Sequence, residues 1–404
     1  MAALPPGAPG ALSGIRVLDF TFVMSGPYCT RLMADLGADV IKIESKHGDL
    51  TRNRPPFRDG KSSYYVALNC GKRSLVLDLK QPAARTLLHE LVKQVDVVVE
   101  NFRPGVMKRL GLDHETLSAI NPRLVYCSIS GFGQGQTGDG KGAYAPTLHA
   151  LSGFDRAMAS YQPDGERPPN TGIFVADVLG GSLAFGAIQA ALVQRARTGR
   201  GDMVDVSLLD SMLSLLVCEL QESQFPEQPR HFVYEPTRAN DGWLMVAPTT
   251  QDNFAALCEA TGHREWLADP RFATGGGRQQ HWTAFLGELD QWAGQHSVAD
   301  CERLLDAHKV PCSRYLGVAE AARLPSVVER GTLCEVDDGA GAFAIIGAPF
   351  RMNEGNAGPR AHLPALGADA HDVLNGLLRM SPQQIAELQQ AGVVGGAAVG
   401  ASQA

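Results

Sequence analysis

Apolar segments and segments with helical spacing alternate over the first third of the chain. Short apolar runs typical of strands lie at 15–20, 39–44, 73–79, 96–100 and 124–130. Strands that are buried on both faces read as near-continuous apolar runs, so this alternation predicts an α/β fold with a mostly parallel sheet covered by helices. Ligands of such folds bind beyond the carboxyl ends of the strands, so three turns are candidates to face a ligand: 23–25, 101–105 and 131–140.

The turn after the first predicted strand reads TFVMSGP. It lacks the GxGxxG pattern of dinucleotide-binding folds, which disfavours a nicotinamide cofactor. Basic residues cluster beside the predicted strand ends, and this indicates an anionic ligand that carries phosphate groups. These residues are Lys72, Arg73, Lys80, Arg103, Lys108, Arg109 and Lys141.

Charge and cysteine content exclude several classes of function for this chain of 404 residues. A formal net charge of −7 gives no electrostatic footprint for nucleic acid. The eight cysteines form no CxxC pair and no cluster with histidine, which disfavours a zinc site or a disulfide framework and fits a reducing cytoplasm. No apolar run reaches the expected length of a membrane span, so we expect no membrane partner. We also expect no metal and no tightly bound cofactor.

Composition changes near 224–241, a segment rich in Pro, Gln and Arg, and this change indicates a second domain. We predict a large domain formed by 12–223 and 325–394, with a smaller α+β domain inserted at 224–324. The two ends, 1–11 and 395–404, are expected to be loose tails.

Asp177 is the one acid in a segment of small and apolar residues, Pro168–Gly199. An uncharged run follows it, two arginines lie near the end of the segment, and a glycine closes it, which together predict that Asp177 is the N-cap of a buried helix. The residues alone favour this structural role over a catalytic one. His149, in the apolar run TLHALSG, is likewise interpreted as a core histidine rather than a catalyst.

Several motifs lie between Leu12 and about Val394: GIRVLDFTFVMSGPYCTRLMADLGADVIKIE, NCGKRSLVLDLK, VVVENFRPGVMKRLGL, ISGFGQGQTG, GIFVADVLGGS, TGRGDMVDVSLLDSM and IGAPF. Together they resemble the class III CoA-transferases, the family of formyl-CoA transferase and carnitine CoA-transferase. No single motif is specific, whereas their combination over nearly the whole chain is.

This resemblance implies a Rossmann-like large domain built from both ends of the chain, a small inserted domain, and two chains interlocked as a homodimer. It implies that Asp177 is the catalytic aspartate and that acyl-CoA is a substrate. The positions that contact CoA in the family correspond to Val23, Met24, Ser25, Leu77, Lys80, Asn101, Phe102, Arg109, Lys141 and Tyr144.

The implied chemistry starts with attack of a carboxylate on an acyl-CoA thioester and passes through an aspartyl-CoA thioester. We expect succinyl-CoA as the donor and a small dicarboxylate as the acceptor. Arg52, Arg54 and Arg58 are candidates to hold its second carboxylate by bidentate pairing, and a solvated surface loop is the alternative interpretation of the same residues.

Two other functions and two departures from the family pattern accompany this expectation. An α-methylacyl-CoA racemase has a His–Asp pair where this chain has Tyr144–Ala145, so the proton-relay base is missing. A non-catalytic CoA-binding protein is disfavoured because Asp177 is retained. Ser45 replaces an arginine of formyl-CoA transferase, a contact that Lys46 is expected to supply, and the GGGGQ loop of that enzyme is absent from 222–241.

Overall fold

The computed structural model describes residues 10–135, 142–162, 167–228, 230–355 and 357–395. Lys141, which the sequence places among the CoA contacts, and the second half of the predicted turn 131–140 therefore lie outside the described residues.

The chain forms two compact units. The first consists of Met1–Leu220 with Arg330–Ala404, and the second of Gln221–Glu329. The predicted domain boundaries at 223/224 and 324/325 stay a prediction.

The described residues form strands and helices with the following bounds. The strands are β1 (Arg16–Asp19), β2 (Asp39–Glu44), β3 (Phe57–Arg58), β4 (Lys61–Ser62), β5 (Arg73–Leu77), β6 (Val97–Glu100), β7 (Val125–Ser130), β8 (Met203–Ser207), β9 (Thr237–Arg238), β10 (Trp243–Val246), β11 (Cys312–Arg314), β12 (Leu333–Asp337), β13 (Ala342–Ile346) and β14 (Val394–Gly395). The α-helices are α1 (Ser25–Asp35), α2 (Ser63–Asn69), α3 (Pro82–Val92), α4 (Val106–Leu110), α5 (His114–Ile120), α6 (Ala145–Leu151), α7 (Phe154–Ser160), α8 (Val175–Thr198), α9 (Leu208–Leu215), α10 (Val217–Gln224), α11 (Gln251–Thr261), α12 (Gly275–Gln280), α13 (Trp282–Ala293), α14 (Val298–Ala307), α15 (Val318–Ala321), α16 (Pro325–Arg330), α17 (Ala370–Leu378) and α18 (Pro382–Gln390). Within the described residues, 3-10 helices span Leu50–Asn53 and Arg264–Leu267.

The first unit contains a seven-stranded sheet with the order β14-β5-β2-β1-β6-β7-β8. Every pair between neighbouring strands from β5 to β8 is parallel, and the short edge strand β14 is antiparallel to β5. This confirms the prediction of an α/β fold with a mostly parallel sheet. The chain runs from β1 outward through β2 to β5 and then returns to the other side of β1 at β6. The carboxyl ends of β1 and β6 therefore flank the point where the strand order reverses, which is where open α/β sheets form a ligand crevice.

Helices cover both faces of this sheet because alternate strand residues point to opposite sides. Leu18 and Val98 face one apolar core, which is shared with α3, α5, α17 and α18. Val17 and Val97 face the other core, which is shared with α1, α6, α8 and α9. The strand residues are buried on both sides, and this explains why the sequence reads as continuous apolar runs rather than as an alternation.

Helix α8 approaches its neighbours closely, as its small residues predict. A Cβ added at Gly180 would lie 2.2 Å from Leu208 Cδ2, and one added at Gly181 would lie 2.5 Å from the carbonyl oxygen of Ser25. The start of α8 is thereby held against the start of α1, and each helix carries a residue of the candidate site. Gly199 ends α8 in the left-handed region with φ 74°, as the sequence predicts.

The prediction that Asp177 caps α8 is wrong. The N-cap is Phe174, and Asp177 lies inside the first turn, so its carboxylate is not used as the cap. Helix α8 has 24 residues and a mean hydropathy of 1.5, so by length and composition it could span a membrane. This contradicts the expectation that no segment of the chain is long and apolar enough to do so. Core helices of soluble proteins meet the same criterion, so one such helix is weak evidence for a membrane span; 33% of the most apolar part of α8 is buried within the chain.

The second unit has its own core. A three-stranded antiparallel sheet with the order β11-β10-β9 packs with α11, α13 and α14 around aromatic side chains. Phe254, Phe272 and Phe285 are fully buried there, with ring centroids of neighbouring pairs 5.3–5.7 Å apart.

Candidate active site

A cavity of about 120 Å³ lies at the reversal of strand order in the first unit. The turn after β1, the turn after β6, the end of β7 and the first turn of α8 all contribute to it. Its lining residues are Phe22, Val23, Met24, Ser25, Asn101, Phe102, Arg103, Pro104, Ile129, Ser130, Gly131, Phe132, Gly133, Ala143, Tyr144, Asp177 and Leu208. The cavity thus lies where the fold class predicts a ligand.

The turn after β1 is fixed from two sides. The Asn101 side chain accepts a hydrogen bond from Phe22 N at 3.0 Å and donates one to Phe22 O at 2.9 Å. The Asp49 carboxylate accepts from Val23 N at 3.3 Å. Val23 has φ 66°, a conformation that is strained for a β-branched residue and that persists only where the surroundings hold it.

Two buried ion pairs lie under this turn. Lys42 Nζ is 3.0 Å from Asp49 Oδ2 and also donates to the carbonyl oxygen of Thr21 at 2.7 Å. Lys72 Nζ is 3.1 Å from Asp19 Oδ2, and both side chains are fully buried. Burial lowers the pKa of Lys72 to about 8, while the charge of Asp19 acts in the opposite direction. Lys72 therefore supports the turn from inside, and the interpretation of Lys72 as a ligand for phosphate is wrong.

Asp177 is half-buried at the wall of the cavity. Burial raises the pKa of its carboxyl to about 6, and a hydrogen bond with the Ser25 side chain opposes that rise. A helix N-terminus favours the ionised form of a nearby acid, but desolvation has the larger effect on the pKa of Asp177. The carboxylate is therefore poorly solvated at neutral pH, which is the condition in which a carboxylate is a reactive nucleophile or base.

Glu100, at the end of β6, is a second carboxyl near the cavity. Its Oε2 accepts from Phe102 N at 2.8 Å. Burial raises the pKa of Glu100 to about 7, against the hydrogen bonds from Ser128 and Phe102. This buried acid fixes the backbone of the turn that lines the cavity, a role the sequence did not predict.

Six of the ten positions predicted to contact CoA line this one cavity: Val23, Met24, Ser25, Asn101, Phe102 and Tyr144. Three others lie outside its lining. Leu77 is buried in the core shared with α3 and α17, Lys80 is exposed beyond β5, and Arg109 is exposed on α4. Arg103 also lines the cavity, although the sequence analysis places it only among the basic residues beside strand ends and not among the CoA contacts. Its position in the motif VVVENFRPG is the sequence signal that could have identified it.

The three arginines proposed to hold the acceptor differ in their surroundings. Arg52 makes a bidentate pair with Glu44, with distances of 2.9 and 2.7 Å, and stacks over the Tyr65 ring. Arg58 lies 3.6 Å from Asp338. Both guanidinium groups thus have carboxylate partners within the chain, whereas Arg54 is exposed.

Tyr64 connects Arg54 with the candidate site. Burial raises the pKa of Tyr64, the charge of Asp177 raises it further, and Arg54 lowers it. Tyr64 therefore lies within electrostatic reach of both residues. No sequence pattern pointed to Tyr64, which stands in the polar run SSYY.

Ser45 and Lys46 are exposed after β2, so substitution of Lys46 for the missing arginine stays a prediction. His149 does not line the cavity, and neither histidine nor lysine occurs among the described residues that do. The surroundings offer a carboxylate nucleophile rather than the histidine base that a racemase would use.

Comparisons with known proteins agree with this geometry. The model of the family described as CoA-transferase family III matches residues 12–370. The acetyl-CoA:oxalate CoA-transferase of Acetobacter aceti is 35% identical over 87% of this chain and 92% of its own length. The succinyl-CoA:mesaconate CoA-transferase of Haloarcula marismortui is 35% identical over 91% of this chain and 96% of its own length. A crystal structure of a CaiB/BaiF family protein from Brucella suis superimposes with a TM-score of 0.80 at 30% identity, covering 91% of this chain and all of that one.

Proposed function

The chain belongs to CoA-transferase family III, and we propose that it transfers CoA from succinyl-CoA to a small dicarboxylic acid through a thioester on Asp177. The observation that supports this proposal best is the Asp177 carboxyl, half-buried at a cavity beyond the carboxyl ends of the strands, with a pKa raised to about 6. The named relatives support transfer of CoA between carboxylic acids rather than racemisation.

In the proposed reaction, an oxygen of the ionised Asp177 attacks the thioester carbonyl of the donor. The C–S bond breaks, CoA leaves as a thiolate, and a mixed anhydride forms. The thiolate then attacks the aspartyl carbonyl and displaces the donor acid as its carboxylate, which leaves CoA on Asp177 as a thioester. An acceptor carboxylate repeats these two steps in reverse, takes the CoA and restores the free Asp177 carboxylate.

The turns around the cavity would hold the thioester end of CoA. In this proposal Val23–Ser25, Asn101–Phe102 and Tyr144 surround the reacting carbonyl. Arg103 and Arg109 lie on the segment that follows β6 and would contact phosphate groups. Leu77, Lys80 and Lys141 remain proposed contacts from the family resemblance.

The acceptor is proposed to be a dicarboxylate because the names of two relatives include oxalate and mesaconate, which both carry two carboxyl groups. Arg54 is the best supported of the three candidate arginines, since it is exposed and lies within electrostatic reach of Tyr64. A carboxylate–guanidinium pair at this position would fix the second carboxylate while the first reacts.

Trapping of the intermediate tests the function. After incubation with succinyl-CoA, the Asp177 side chain should carry the mass of CoA less one water, and hydroxylamine should convert it to a hydroxamate. Asp177→Asn should abolish both the adduct and transfer. Asp252→Asn, which changes an acid in the first turn of another helix, is the matched control and should keep both. Transfer that survives in Asp177→Asn, without an adduct in the unmodified chain, would refute the proposal.

A panel of acceptors tests the substrate class. With succinyl-CoA and acetyl-CoA as donors, oxalate, mesaconate, glutarate, itaconate, sulfinopropionate and carnitine should be compared by kcat/KM. We expect a dicarboxylate to be the best acceptor and Arg54→Ala to raise its KM. A monocarboxylate or carnitine as the best acceptor would refute the dicarboxylate assignment while leaving CoA transfer intact.

We also propose that the chain works as a homodimer in the cytoplasm. Apolar side chains on α8 to α10 are exposed in the single chain, among them Val193 at 62% and Val217 at 64%. A patch of this kind supports burial against a second copy. The eight cysteines lie unpaired, which supports a reducing compartment.

Light scattering after gel filtration tests the dimer. The expected mass is twice the 43.1 kDa of one chain. Val193→Glu should lower it to that of one chain, whereas Val318→Glu, a change at an equally apolar and 89% exposed residue of the second unit, should not.

A further inference from the structure

The first turn of α8 is capped by a residue from another helix. Its N-cap, Phe174, has no side chain that can accept a hydrogen bond, although free N–H groups at a helix start need an acceptor. The N–H of Ala176 donates instead to Nε2 of His149 at 3.1 Å. His149 lies 27 residues earlier, on α6, whose preceding residue Tyr144 lines the cavity.

The geometry determines the protonation state of His149. A nitrogen that accepts from a backbone N–H carries no proton, so the proton of the neutral ring lies on Nδ1. The side chain is 1% exposed and packs against the Phe154 ring with centroids 5.4 Å apart. Nδ1 has no hydrogen-bond partner among the described residues. Burial lowers the pKa of His149 and the charge of Asp155 opposes this, so the ring stays a neutral acceptor at physiological pH.

In this arrangement the Asp177 carboxylate is not needed as a cap for the first turn of α8. An acid in the first turn of an uncapped helix would satisfy free N–H groups with its own oxygens, and that would lower its pKa and turn it away from a ligand. Because His149 takes the N–H of the residue directly before Asp177, the backbone of this turn is fixed without the Asp177 side chain.

We propose that His149 is a positioning residue for Asp177: through the N–H of Ala176 it fixes the first turn of α8 and so aims the carboxylate into the cavity. This inference rests on the proposed function, because it assigns to His149 an effect on the CoA-transfer step. His149 touches neither CoA nor the acceptor in this proposal.

Two substitutions of His149 by amide side chains of different length test the proposal. In His149→Gln the Oε1 atom is as many bonds from Cβ as Nε2 is in histidine, so it can accept from Ala176 N. In His149→Asn the oxygen is one bond shorter and cannot. Displacement of a catalytic group by about 1 Å costs about 100-fold in rate, so we expect His149→Asn to lower kcat by about 10- to 100-fold and His149→Gln by less than about threefold. The KM for acyl-CoA should change by less than about threefold in both, because the CoA-lining turns are untouched.

Circular dichroism and the midpoint of thermal unfolding of both variants should accompany the kinetics. A merely structural histidine would lower the unfolding midpoint but leave kcat per folded molecule unchanged. Equal kcat values in the Gln and Asn variants, or a loss expressed in KM alone, would refute the positioning role. Absence of CoA transfer in the unmodified chain would instead refute the proposed function, so the two failures are distinguishable.

Discussion

The raised pKa of Asp177 predicts how the reaction should depend on pH. A nucleophilic carboxylate must be ionised, so the rate should fall as pH drops through about 6. With an unshifted pKa of 3.8, more than about nine tenths of the carboxylate would be ionised at pH 5, whereas with a pKa near 6 the ionised share is about one tenth. We therefore expect kcat/KM at pH 5 to be about a tenth of its value at pH 7.5.

Substitution of Ser25 provides a second, independent test that the pH dependence reports the ionisation of Asp177. Its hydrogen bond favours the ionised form of Asp177, so Ser25→Ala should move the acidic limb of the pH profile to higher pH. A hydrogen bond to a charged group is worth about 1.5–3 kcal/mol, and one pKa unit corresponds to about 1.4 kcal/mol. Because Asp177 is partly exposed and solvent screens this interaction, we expect a displacement near the lower end, about one pKa unit.

The assay is the rate of CoA transfer between pH 4.5 and about 8, expressed as kcat/KM for the acyl-CoA. The terminal phosphate of CoA titrates near pH 6 as well, so the affinity of Asp177→Asn for CoA, measured over the same range, supplies the correction for binding alone. A corrected limb centred below pH 5, or a limb that Ser25→Ala leaves in place, would refute the assignment of the titration to a desolvated Asp177.

Four further substitutions test the packing and electrostatics around the cavity. Val23→Gly should raise the free energy of unfolding by about 1 kcal/mol in a denaturant titration, because glycine adopts φ 66° without the strain of a β-branched side chain; a decrease would contradict the strain. Gly181→Ala should lower kcat and cost about 1–3 kcal/mol of stability, since its Cβ would meet the Ser25 carbonyl at 2.5 Å, whereas Gly186→Ala, with no atom within 4 Å, should stabilise α8 by about 0.5–1 kcal/mol. Glu100→Gln should be more stable than the unmodified chain at pH 8 by about 2–3 kcal/mol, and this difference should vanish below about pH 4. The sign follows from the pKa of Glu100, which folding raises from 4.5 to about 7, so the stability that the protonated acid contributes is lost as pH rises through 7. An equal stability at pH 8 would contradict the raised pKa.

The central sheet could be predicted from the sequence because the patterns that indicate it are local. Strands buried on both faces, such as Val97–Glu100, leave continuous apolar runs, and glycine at 199 marks the end of α8. The convergence of 23–25 with 101–102 on one cavity follows from the same pattern, since both turns end neighbouring parallel strands. The motifs and the fold class together were therefore enough to predict which turns form the candidate site.

The partners of charged side chains could not be predicted in this way. Some of these partners are distant in sequence, and others are acids that end an apolar strand and so read as part of it. Arg52 was a candidate ligand, yet Glu44 at the end of β2 takes its guanidinium group. Lys72 pairs with Asp19, which is 53 residues earlier. The position of Asp177 inside the first turn rather than at the cap was missed for the same reason, since the residue that satisfies this turn is on α6.

Two carboxyl groups near one cavity, Asp177 and Glu100, have pKa values raised by burial. Each is more favourable when protonated, so at neutral pH each lowers the stability of the fold relative to a neutral side chain of the same shape. For Asp177 this cost accompanies its proposed role, because a well-solvated carboxylate would be a weaker nucleophile toward a thioester. For Glu100 the cost accompanies a structural role. Its carboxylate accepts from Phe102 N and so fixes the turn after β6, and Asn101 of that turn accepts from Phe22 N. An apolar residue at 100 would avoid the cost of a buried carboxylate, but it would leave Phe102 N without this acceptor and so weaken the hold on the strained turn at Val23.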